Sequence, residues 1–317
     1  TCALPIYVEL CTRMIEAAAA AGADAVKLQT VDADESYTKG TSSYNEFKGK
    51  ELDDVAIMQM IQLAAKLNVI LFSTPGDFAS LKRMIKLGMP AVKISSGLMT
   101  NVPLIKEAAR HKLPLIISTG LAYEKEISEV IDVAQKNGAQ GLAILKCTAL
   151  YPAPDDSINL SAIPTMRDRF GVSIGYSDHT LDDLACIASV ALGASIIEKH
   201  FTIDRSLPGA DHSISMLTNP FSRMVKEIRR LHLMRGTGYI QPTREEEIAR
   251  PERHRCLVAK VDIGVGEKFT ADNVALLRPA QGNAGLPPSN YEKVLMCIAT
   301  RELKQHDPIN EDAIQKL

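Results

Sequence analysis

The sequence contains no apolar run that approaches the length of a membrane span. About 20 consecutive apolar residues are needed to cross a bilayer as a helix, and every apolar stretch here is shorter. An excess of one charge is also lacking, because the formal net charge is -2 and lysine and arginine are scattered. The chain therefore has no electrostatic footprint for nucleic acid or an anionic membrane. Residues 1–7 resemble neither a secretion signal nor a barrel strand.

Closely spaced cysteines are absent as well. Six cysteines stand far apart without a CxxC pair: Cys2, Cys11, Cys147, Cys186, Cys256 and Cys297. Such spacing is typical of reduced thiols rather than of a disulfide framework. We expect small buried side chains in a cytoplasmic protein.

The 317 residues, 46% hydrophobic and 23% charged, suffice for one large domain and one small one. Between residues 9 and 235, amphipathic helical stretches alternate with short apolar runs that are typical of buried parallel strands. The predicted strands are Ala25–Leu28, Val69–Phe72, Ala91–Ile94, Leu115–Ile117, Gly141–Leu145, Val172–Ile174 and Ser195–Ile197. The helices predicted between and after them are Asp54–Leu67, Phe78–Leu87, Val102–His111, Glu124–Asn137, Ile163–Phe170, Leu181–Leu192 and Pro220–Met234. Gly22, Gly88, Gly138 and Gly193 are predicted to end helices in the left-handed conformation.

This alternation predicts an α/β fold with a parallel sheet. Seven strands are counted where a (β/α)8 TIM barrel needs eight. Because a helical pattern is under way by Glu9, the simplest interpretation is a barrel that lacks its first strand. An open doubly wound sheet is the alternative.

A second domain is expected after the barrel. Residues 1–235 are assigned to the barrel, and residues 236–255, rich in charge, glycine and proline, to a linker. Residues 256–317 form a small β-rich domain in this interpretation. Its predicted strands are Leu257–Val261, Lys268–Thr270, Ala275–Arg278 and Cys297–Ala299.

Polar side chains stand at the carboxyl end of every predicted barrel strand. In barrel enzymes these ends form the mouth of the active site. Two of the residues, His179 and His200, follow adjacent strands and are predicted to share one divalent ion, with Glu198 and Asp211 nearby. Such mixed nitrogen and oxygen donors favour Mn²⁺, Fe²⁺, Co²⁺ or Mg²⁺ over a closed zinc site.

Lysines close three of the strands. Lys27, Lys93 and Lys146 end apolar runs, where an unpaired ammonium group is costly. With Thr74, Ser96 and Ser177 they are predicted to form a cradle for a phosphorylated anion. A Schiff-base lysine is the competing chemical interpretation. A metal ion that polarises an aldehyde beside a clamped phosphorylated enol fits carbon–carbon condensation.

An ordered set of motifs resembles the sialic acid (N-acetylneuraminate) synthase family. They are Gly22-Ala-Asp-Ala-Val-Lys-Leu-Gln-Thr30, Phe72-Ser-Thr-Pro75, Lys93-Ile-Ser-Ser-Gly97, Ile117-Ser-Thr-Gly120, Lys146-Cys-Thr-Ala-Leu-Tyr-Pro152, Gly175-Tyr-Ser-Asp-His-Thr-Leu181, Glu198-Lys-His-Phe-Thr202 and Pro208-Gly-Ala-Asp-His212. The stretches Asp262-Ile-Gly-Val-Gly-Glu267 and Leu277-Arg-Pro279 are similar to that family's antifreeze-like (SAF) domain.

The resemblance implies a metal-dependent condensation of phosphoenolpyruvate with N-acetylmannosamine or a related amino-sugar aldose, giving a nonulosonic acid and phosphate. It implies that His179 and His200 bind Mn²⁺ or Mg²⁺ and that Glu198, Lys27 and Lys93 are catalytic. The residues implied to bind phosphoenolpyruvate are Lys27, Thr74, Lys93, Ser96 and Ser177. Those implied to contact the sugar, besides Glu198, are Gln29, Tyr151, Asp211 and Arg278. Arg278 would reach in from a partner subunit, which implies a domain-swapped homodimer.

Three positions depart from the family's pattern. Leu98 replaces a glutamate, Ala149 an asparagine or serine, and Gly76 an aromatic residue. Two alternatives to an active synthase are therefore kept. One is another aldol-type barrel enzyme acting on pyruvate or phosphoenolpyruvate, and the other is an inactive or ligand-binding paralogue.

Overall fold

The computed structural model describes residues 8–209, 211–279 and 284–317. The chain divides into two compact units, Thr1–Gly236 and Thr237–Leu317. Residues 1–7, where the sequence predicts neither a signal nor a strand, lie outside the described residues. The prediction of an absent first barrel strand consequently stays a prediction.

A seven-stranded sheet forms the centre of the first unit. Its strands are β1 (Ala25–Thr30), β2 (Ile70–Pro75), β3 (Val92–Ile94), β4 (Leu115–Ser118), β5 (Leu142–Cys147), β6 (Ser173–Asp178) and β7 (Ile197–Lys199). They pair in chain order and all in parallel. A doubly wound sheet reverses its strand order at a switch point. The sequential order therefore confirms the barrel-type interpretation.

The sheet is curled rather than flat. β1 and β7 are its two edges in the described part of the chain, yet Lys27 on β1 and Glu198 on β7 form an ion pair. Side chains of opposite edges meet only when the sheet bends back on itself, as in barrels. The carboxyl ends of all seven strands thus surround one mouth.

Helices follow the strands. The helices of the first unit are α1 (Val8–Ala20), α2 (Ala33–Ser36), α3 (Ser42–Phe47), α4 (Asp54–Lys66), α5 (Phe78–Lys86), α6 (Val102–Arg110), α7 (Glu124–Lys136), α8 (Ala162–Phe170), α9 (Leu184–Ala191) and α10 (Thr218–Arg235). Asp53, Asp77 and Asn101 begin α4, α5 and α6 by accepting a hydrogen bond from a first-turn backbone N–H. Gly22, Gly88, Gly138 and Gly193 have positive φ after their helices, as predicted.

The observed elements differ from the predicted ones mainly at their ends. β1, β2, β5 and β6 continue through the polar residues that follow each apolar run. α9 begins at Leu184 rather than Leu181, because Asp182 accepts a hydrogen bond from the backbone of Leu184. The short helices α2 and α3 carry no extended apolar stripe, so periodicity did not predict them.

Two apolar clusters pack around the sheet. One includes Ile94, Leu104, Ile117 and Ile144, and the other includes Met14, Leu28, Ile57 and Leu71. Two short strands, β8 (Phe201–Thr202) and β9 (Met216–Leu217), pair in parallel just beyond β7. They hold the ends of the segment that contains Asp211.

The second unit is small and β-rich. Its elements are α11 (Arg244–Arg253), β10 (Cys256–Ala259), β11 (Val274–Leu277), α12 (Tyr291–Leu295), β12 (Cys297–Ala299) and β13 (Ile314–Lys316). Its core includes Leu257, Phe269, Val294 and Ile309. The prediction of a strand at Lys268–Thr270 is wrong, because Lys268 forms only an isolated β-bridge with Ile298.

A helix occupies part of the stretch predicted as a linker. α11 begins with a capping box, in which Thr243 and Glu246 each bond the other's backbone N–H. Residues 236–255 were predicted to be a linker because they are rich in glycine, proline and charge, and the capping-box spacing of Thr243 and Glu246 was overlooked. The proposed limits of the linker and the two domains stay a prediction.

In the described part of the chain, no helix is both long and apolar enough to cross a membrane. Five of the six cysteines are buried, as expected: Cys11, Cys147, Cys186, Cys256 and Cys297. Cys2 lies outside the described residues.

Candidate active site

A cluster of two lysines and one glutamate lies inside the curled sheet. Glu198 accepts a hydrogen bond from Nζ of Lys93 at 3.3 Å, and its Oε1 lies 3.8 Å from Nζ of Lys27. Lys27 donates in turn to Oγ1 of Thr74 at 3.0 Å, and Ser177 donates to Glu198 at 3.1 Å. Five predicted residues, each from a different strand, are thus brought together.

Both lysines are almost completely buried, with exposures of 6% for Lys27 and 1% for Lys93. Burial by itself raises the pKa of Glu198, but the ammonium groups of Lys27 and Lys93 outweigh that effect and hold the pKa far below its ordinary value. Glu198 is therefore an ionised carboxylate at neutral pH. The ammonium groups of Lys27 and Lys93 share this one carboxylate. The buried cluster therefore carries a net positive charge.

The two predicted metal-binding histidines are neighbours. The ring centroids of His179 and His200 are 5.3 Å apart, and the ring planes are inclined by 51°. Metal–nitrogen bonds of about 2.0–2.1 Å place the ring centres of two imidazoles on one ion about 5 Å apart. The separation therefore suits a shared cation.

The backbone of Thr148 fixes the orientation of the His179 ring. Its Nδ1 lies 2.7 Å from the backbone oxygen of Thr148 and 3.8 Å from Sγ of Cys147. A carbonyl oxygen only accepts, so Nδ1 donates to it and Nε2 is the nitrogen left for a cation. Burial lowers the pKa of His179, but Cys147 and the backbone of Thr148 outweigh that effect and raise it. A carbonyl partner on the second ring nitrogen is the usual way in which proteins orient a metal-ligating histidine.

His200 has a free nitrogen. Its Nδ1 is buried without a hydrogen-bond partner among the described residues, and Oδ2 of Asp211 lies 3.6 Å away. Burial is the main cause that lowers the pKa of His200 well below its ordinary value, and neighbouring His179 lowers it further. A neutral imidazole with an available lone pair is the form that binds metals.

These donors fit an open metal site rather than a closed cage. In the described ranges, no group of three or more histidine, cysteine, aspartate or glutamate side chains has an arrangement that would hold an ion. The protein would thus supply the two imidazoles, with Asp211 beside them, and leave the other positions to water and substrate. Mn²⁺ and Mg²⁺ accept such mixed, water-rich coordination.

Other predicted residues surround these two groups. The ring of Tyr151 lies 4.0 Å, centroid to centroid, from that of His179. Ser96 accepts a hydrogen bond from the backbone N–H of Gly120. Its side chain is also hydrogen-bonded to the thiol of Cys147, which in turn contacts His179. Gln29 is half-buried and pairs in register with Thr74.

Two predicted residues are not part of these contacts. Lys146 donates to the backbone oxygen of Cys147 and to Oγ1 of Thr148, so it is engaged at the end of its own strand. Arg278 is exposed and belongs to the second unit. Its predicted role toward the sugar of a partner subunit stays a prediction.

Sequence reasoning missed a buried ion pair behind the histidines. Lys199 and Asp178 form it, and both are nearly inaccessible to solvent. Burial raises the pKa of Asp178, but Lys199 and Thr180 outweigh this effect and lower it. The sequence does contain a signal for this pair, because Asp178 directly precedes His179 and the oppositely charged Lys199 directly precedes His200.

The departures from the family pattern have local packing partners. Leu98 is half-buried and packs against the main apolar cluster. A Cβ at Gly76 would lie 3.0 Å from Cγ2 of Val31 and 3.2 Å from Oγ of Ser36. The segment after β1 therefore occupies the space that an aromatic side chain at residue 76 would need.

Comparisons with known proteins agree with this geometry. Residues 14–239 match the NeuB family, and residues 254–315 match the SAF domain. The N,N'-diacetyllegionaminic acid synthase of Campylobacter jejuni is 36% identical over 95% of this chain and 94% of that protein. The pseudaminic acid synthase of Helicobacter pylori is 34% identical over 81% of this chain and 75% of that protein.

Solved structures share the fold. An N-acetylneuraminic acid synthetase from Leptospira borgpetersenii has a TM-score of 0.73 at 32% identity and covers 78% of this chain and 87% of that one. A spore coat polysaccharide biosynthesis protein E from Chromobacterium violaceum has a TM-score of 0.81 at 26% identity. The second match covers 97% of this chain and 95% of that one.

Proposed function

Since the chain belongs to the NeuB family and carries a SAF domain, we propose that it condenses phosphoenolpyruvate with an amino-sugar aldehyde. The products are a nonulosonic acid and inorganic phosphate. One observation carries the proposal: Ser177 and Glu198 of the buried lysine cluster stand two residues before His179 and His200, on the same side of adjacent strands, and the two imidazoles are neighbours. We infer that an anion clamp and a set of metal donors lie side by side at the mouth.

The clamp suits a small, highly charged enol. Lys27 on β1 and Lys93 on β3 both reach the carboxylate of Glu198, and Thr74 and Ser177 add hydroxyl groups. Charge-assisted hydrogen bonds from such groups to carboxylate and phosphate oxygens are stronger than neutral ones. We assign phosphoenolpyruvate to Lys27, Thr74, Lys93, Ser96 and Ser177.

We propose that His179 and His200 hold a divalent cation, Mn²⁺ or Mg²⁺. When bound there, the ion would polarise the aldehyde oxygen of the sugar. His179 is held in place by Thr148, so its ring need not reorient, and His200 is neutral, so its ring need not lose a proton first. Tyr151 and Asp211 flank the rings, and with Gln29 they are assigned to the sugar.

The reaction balances without another reactant besides water. Carbon 3 of the enol forms a bond to the aldehyde carbon, and the aldehyde oxygen takes up a proton. Water adds at carbon 2, and the bond between that carbon and the phosphate oxygen breaks, which leaves an α-keto acid and phosphate. We assign Glu198, the ionised carboxylate of the clamp, to accept and return a proton.

The acceptor is proposed to be an N-acylated amino sugar, with a 2,4-diamino deoxy aldose preferred over N-acetylmannosamine. Support comes from the relative named N,N'-diacetyllegionaminic acid synthase, which aligns with nearly the whole chain. The relative named N-acetylneuraminate-9-phosphate synthase aligns with 66% of it.

We further propose a homodimer in which a second copy covers the mouth and contributes Arg278. Large apolar side chains are exposed in the segments that follow β4, β5 and β6. Exposed apolar side chains in such number are typical of a surface that binds another protein. They are Leu121, Tyr123, Leu150, Tyr151, Leu181 and Leu184. The wide spacing of the cysteines and the absence of a CxxC pair support a reducing compartment, the cytoplasm.

Phosphate release tests the reaction. Protein, phosphoenolpyruvate and Mn²⁺ are mixed with each acceptor, and phosphate and α-keto acid are measured together. We expect both products in equal amounts and only when an acceptor is present. Binding of phosphoenolpyruvate without turnover for any acceptor would favour a ligand-binding paralogue, for which Leu98 is the motivating difference.

A second function has one specific observation in its favour. Burial lowers the pKa of Lys146, and a depressed pKa activates lysine for Schiff-base chemistry. Borohydride trapping with pyruvate separates the two functions. A covalent adduct on Lys146 would indicate an imine-forming lyase, whereas the synthase predicts none.

A further inference from the structure

A buried ion pair lies directly behind the two histidines and has no part in the chemistry described above. Asp178 and Lys199 pair in register across β6 and β7. His179 is the next residue after Asp178, and His200 is the next after Lys199. Because side chains alternate along a strand, the ion pair faces away from the imidazoles.

The ammonium group of Lys199 is fully used. Besides Asp178, it donates to the backbone oxygens of Thr180 at 2.6 Å and Asp182 at 2.8 Å. An ammonium group has three donors. Lys199 therefore ties the end of β7 to the segment 180–182, which follows His179.

The carboxylate of Asp178 is equally engaged. It accepts hydrogen bonds from Tyr176 Oη at 2.8 Å, from the backbone N–H of Thr180 at 3.1 Å and from Thr180 Oγ1 at 2.8 Å. Cys186 of α9 adds a weaker contact at 3.4 Å. The pair thus joins β6, β7 and the first turn of α9.

Stability alone does not account for such a pair. Two charges with 1% and 4% exposure have lost their hydration, and an apolar pair of equal size often stabilises a protein as well or better. What an apolar pair cannot supply is direction, because it makes no hydrogen bonds to the backbone at 180 and 182. The position of these bonds, at the two points where the histidines leave the sheet, indicates a positioning role.

We propose that the Asp178–Lys199 pair is a positioning element that fixes the separation of His179 and His200 for a shared divalent cation. The proposal rests on the metal site of the proposed function. Groups behind metal ligands typically change metal affinity by about 10- to 100-fold when they are altered.

The variants are Asp178→Asn and Lys199→Met, together with their double combination. Asp178→Asn keeps the shape of the side chain, and Lys199→Met keeps much of its length but donates no hydrogen bond. The matched control is Asp77→Asn, another buried carboxylate that accepts hydrogen bonds from Asp32, Ser36 and Ser80. None of the bonds described for Asp77 reaches β6 or β7.

Two quantities are measured in each protein: the Kd for Mn²⁺ by titration calorimetry and the midpoint of thermal unfolding. We expect each single variant to weaken Mn²⁺ binding by about 10- to 100-fold. The double variant should regain stability relative to Lys199→Met, because no buried carboxylate is left unpaired, while its Kd stays weak. Asp77→Asn should lower the midpoint and leave the Kd within about twofold of the wild type.

A Kd near that of the wild type in folded Asp178→Asn and in the double variant would overturn the proposal. So would a Kd that weakens as much in Asp77→Asn. If the wild type binds no Mn²⁺, the metal site itself fails, and the ¹⁵N signals of the two imidazoles in the metal-free protein decide about positioning. Lys199→Met should shift the signals of both His179 and His200, and unchanged signals would refute the role.

Discussion

Oε1 of Glu198 on the last strand of the sheet lies 3.8 Å from Nζ of Lys27 on the first strand. This contact closes the curl of the sheet, and Lys93 reaches the same oxygen from the third strand. One carboxylate is therefore shared by two buried cations, and the cluster keeps a net positive charge. We infer that an anionic substrate takes over part of this role when it binds.

Glu198→Gln tests the catalytic part of that role. We expect kcat for phosphate release to fall by about 100- to 10,000-fold, the usual contribution of a general acid or base. The affinity for phosphoenolpyruvate should not weaken, because the substitution removes a negative charge beside two cations. Steady-state kinetics and calorimetry with phosphoenolpyruvate measure the two effects separately.

The control for this substitution is Glu124→Gln, which removes a charge from an exposed pair with Arg169. Its kcat should equal that of the wild type. A Glu198→Gln enzyme with kcat within about threefold of the wild type would show that this carboxylate transfers no proton in the rate-limiting step.

Lys93→Met tests the anion clamp. Loss of a hydrogen bond to a charged group costs about 1.5–3 kcal/mol, so the Kd for phosphoenolpyruvate should rise about 10- to 100-fold. Lys146→Met is the matched variant, because its ammonium group bonds to Cys147 and Thr148 at the end of β5. Equal losses of affinity in the two variants, measured by calorimetry, would place Lys146 in the clamp as well.

Gly76→Phe tests whether residue 76 has room for the aromatic side chain that the family resemblance leads us to expect there. The new side chain would meet Val31 at 3.0 Å and Ser36 at 3.2 Å, and overpacking of this kind costs about 1–3 kcal/mol of unfolding free energy. Gly97→Ala is the control, since a Cβ there meets no atom within 4 Å. Urea denaturation should show a clear loss for Gly76→Phe and little change for Gly97→Ala. Equal stability of Gly76→Phe and the wild type would contradict this explanation.

The strand pattern and the polar residue after each strand predicted most of the candidate site. Parallel strands end at one side of a sheet, so the sequence alone predicts that Lys27, Lys93 and Glu198 converge. Periodicity did not show which of them pair, because pairing depends on the curl of the sheet. The pattern therefore predicted that Lys146 joins Lys27 and Lys93 in the anion cradle. In the structure, Lys146 instead donates hydrogen bonds to Cys147 and Thr148 at the end of its own strand.

Two features needed three-dimensional structure. The Asp178–Lys199 pair joins residues 21 positions apart whose side chains face away from the mouth, and the sequence alone shows them only as polar neighbours of histidines. α11 was hidden because its stretch is rich in residues typical of linkers, although the spacing of Thr243 and Glu246 is that of a capping box. The first of these features bears directly on the site.

The most direct test of the account is the number of imidazole nitrogens bound to Mn²⁺, measured by pulsed electron paramagnetic resonance on the metal-loaded protein. The wild type should show coupling to two imidazole nitrogens, and His179→Gln and His200→Gln should each show one. Coupling to one imidazole or none in the wild type would contradict a cation shared by His179 and His200.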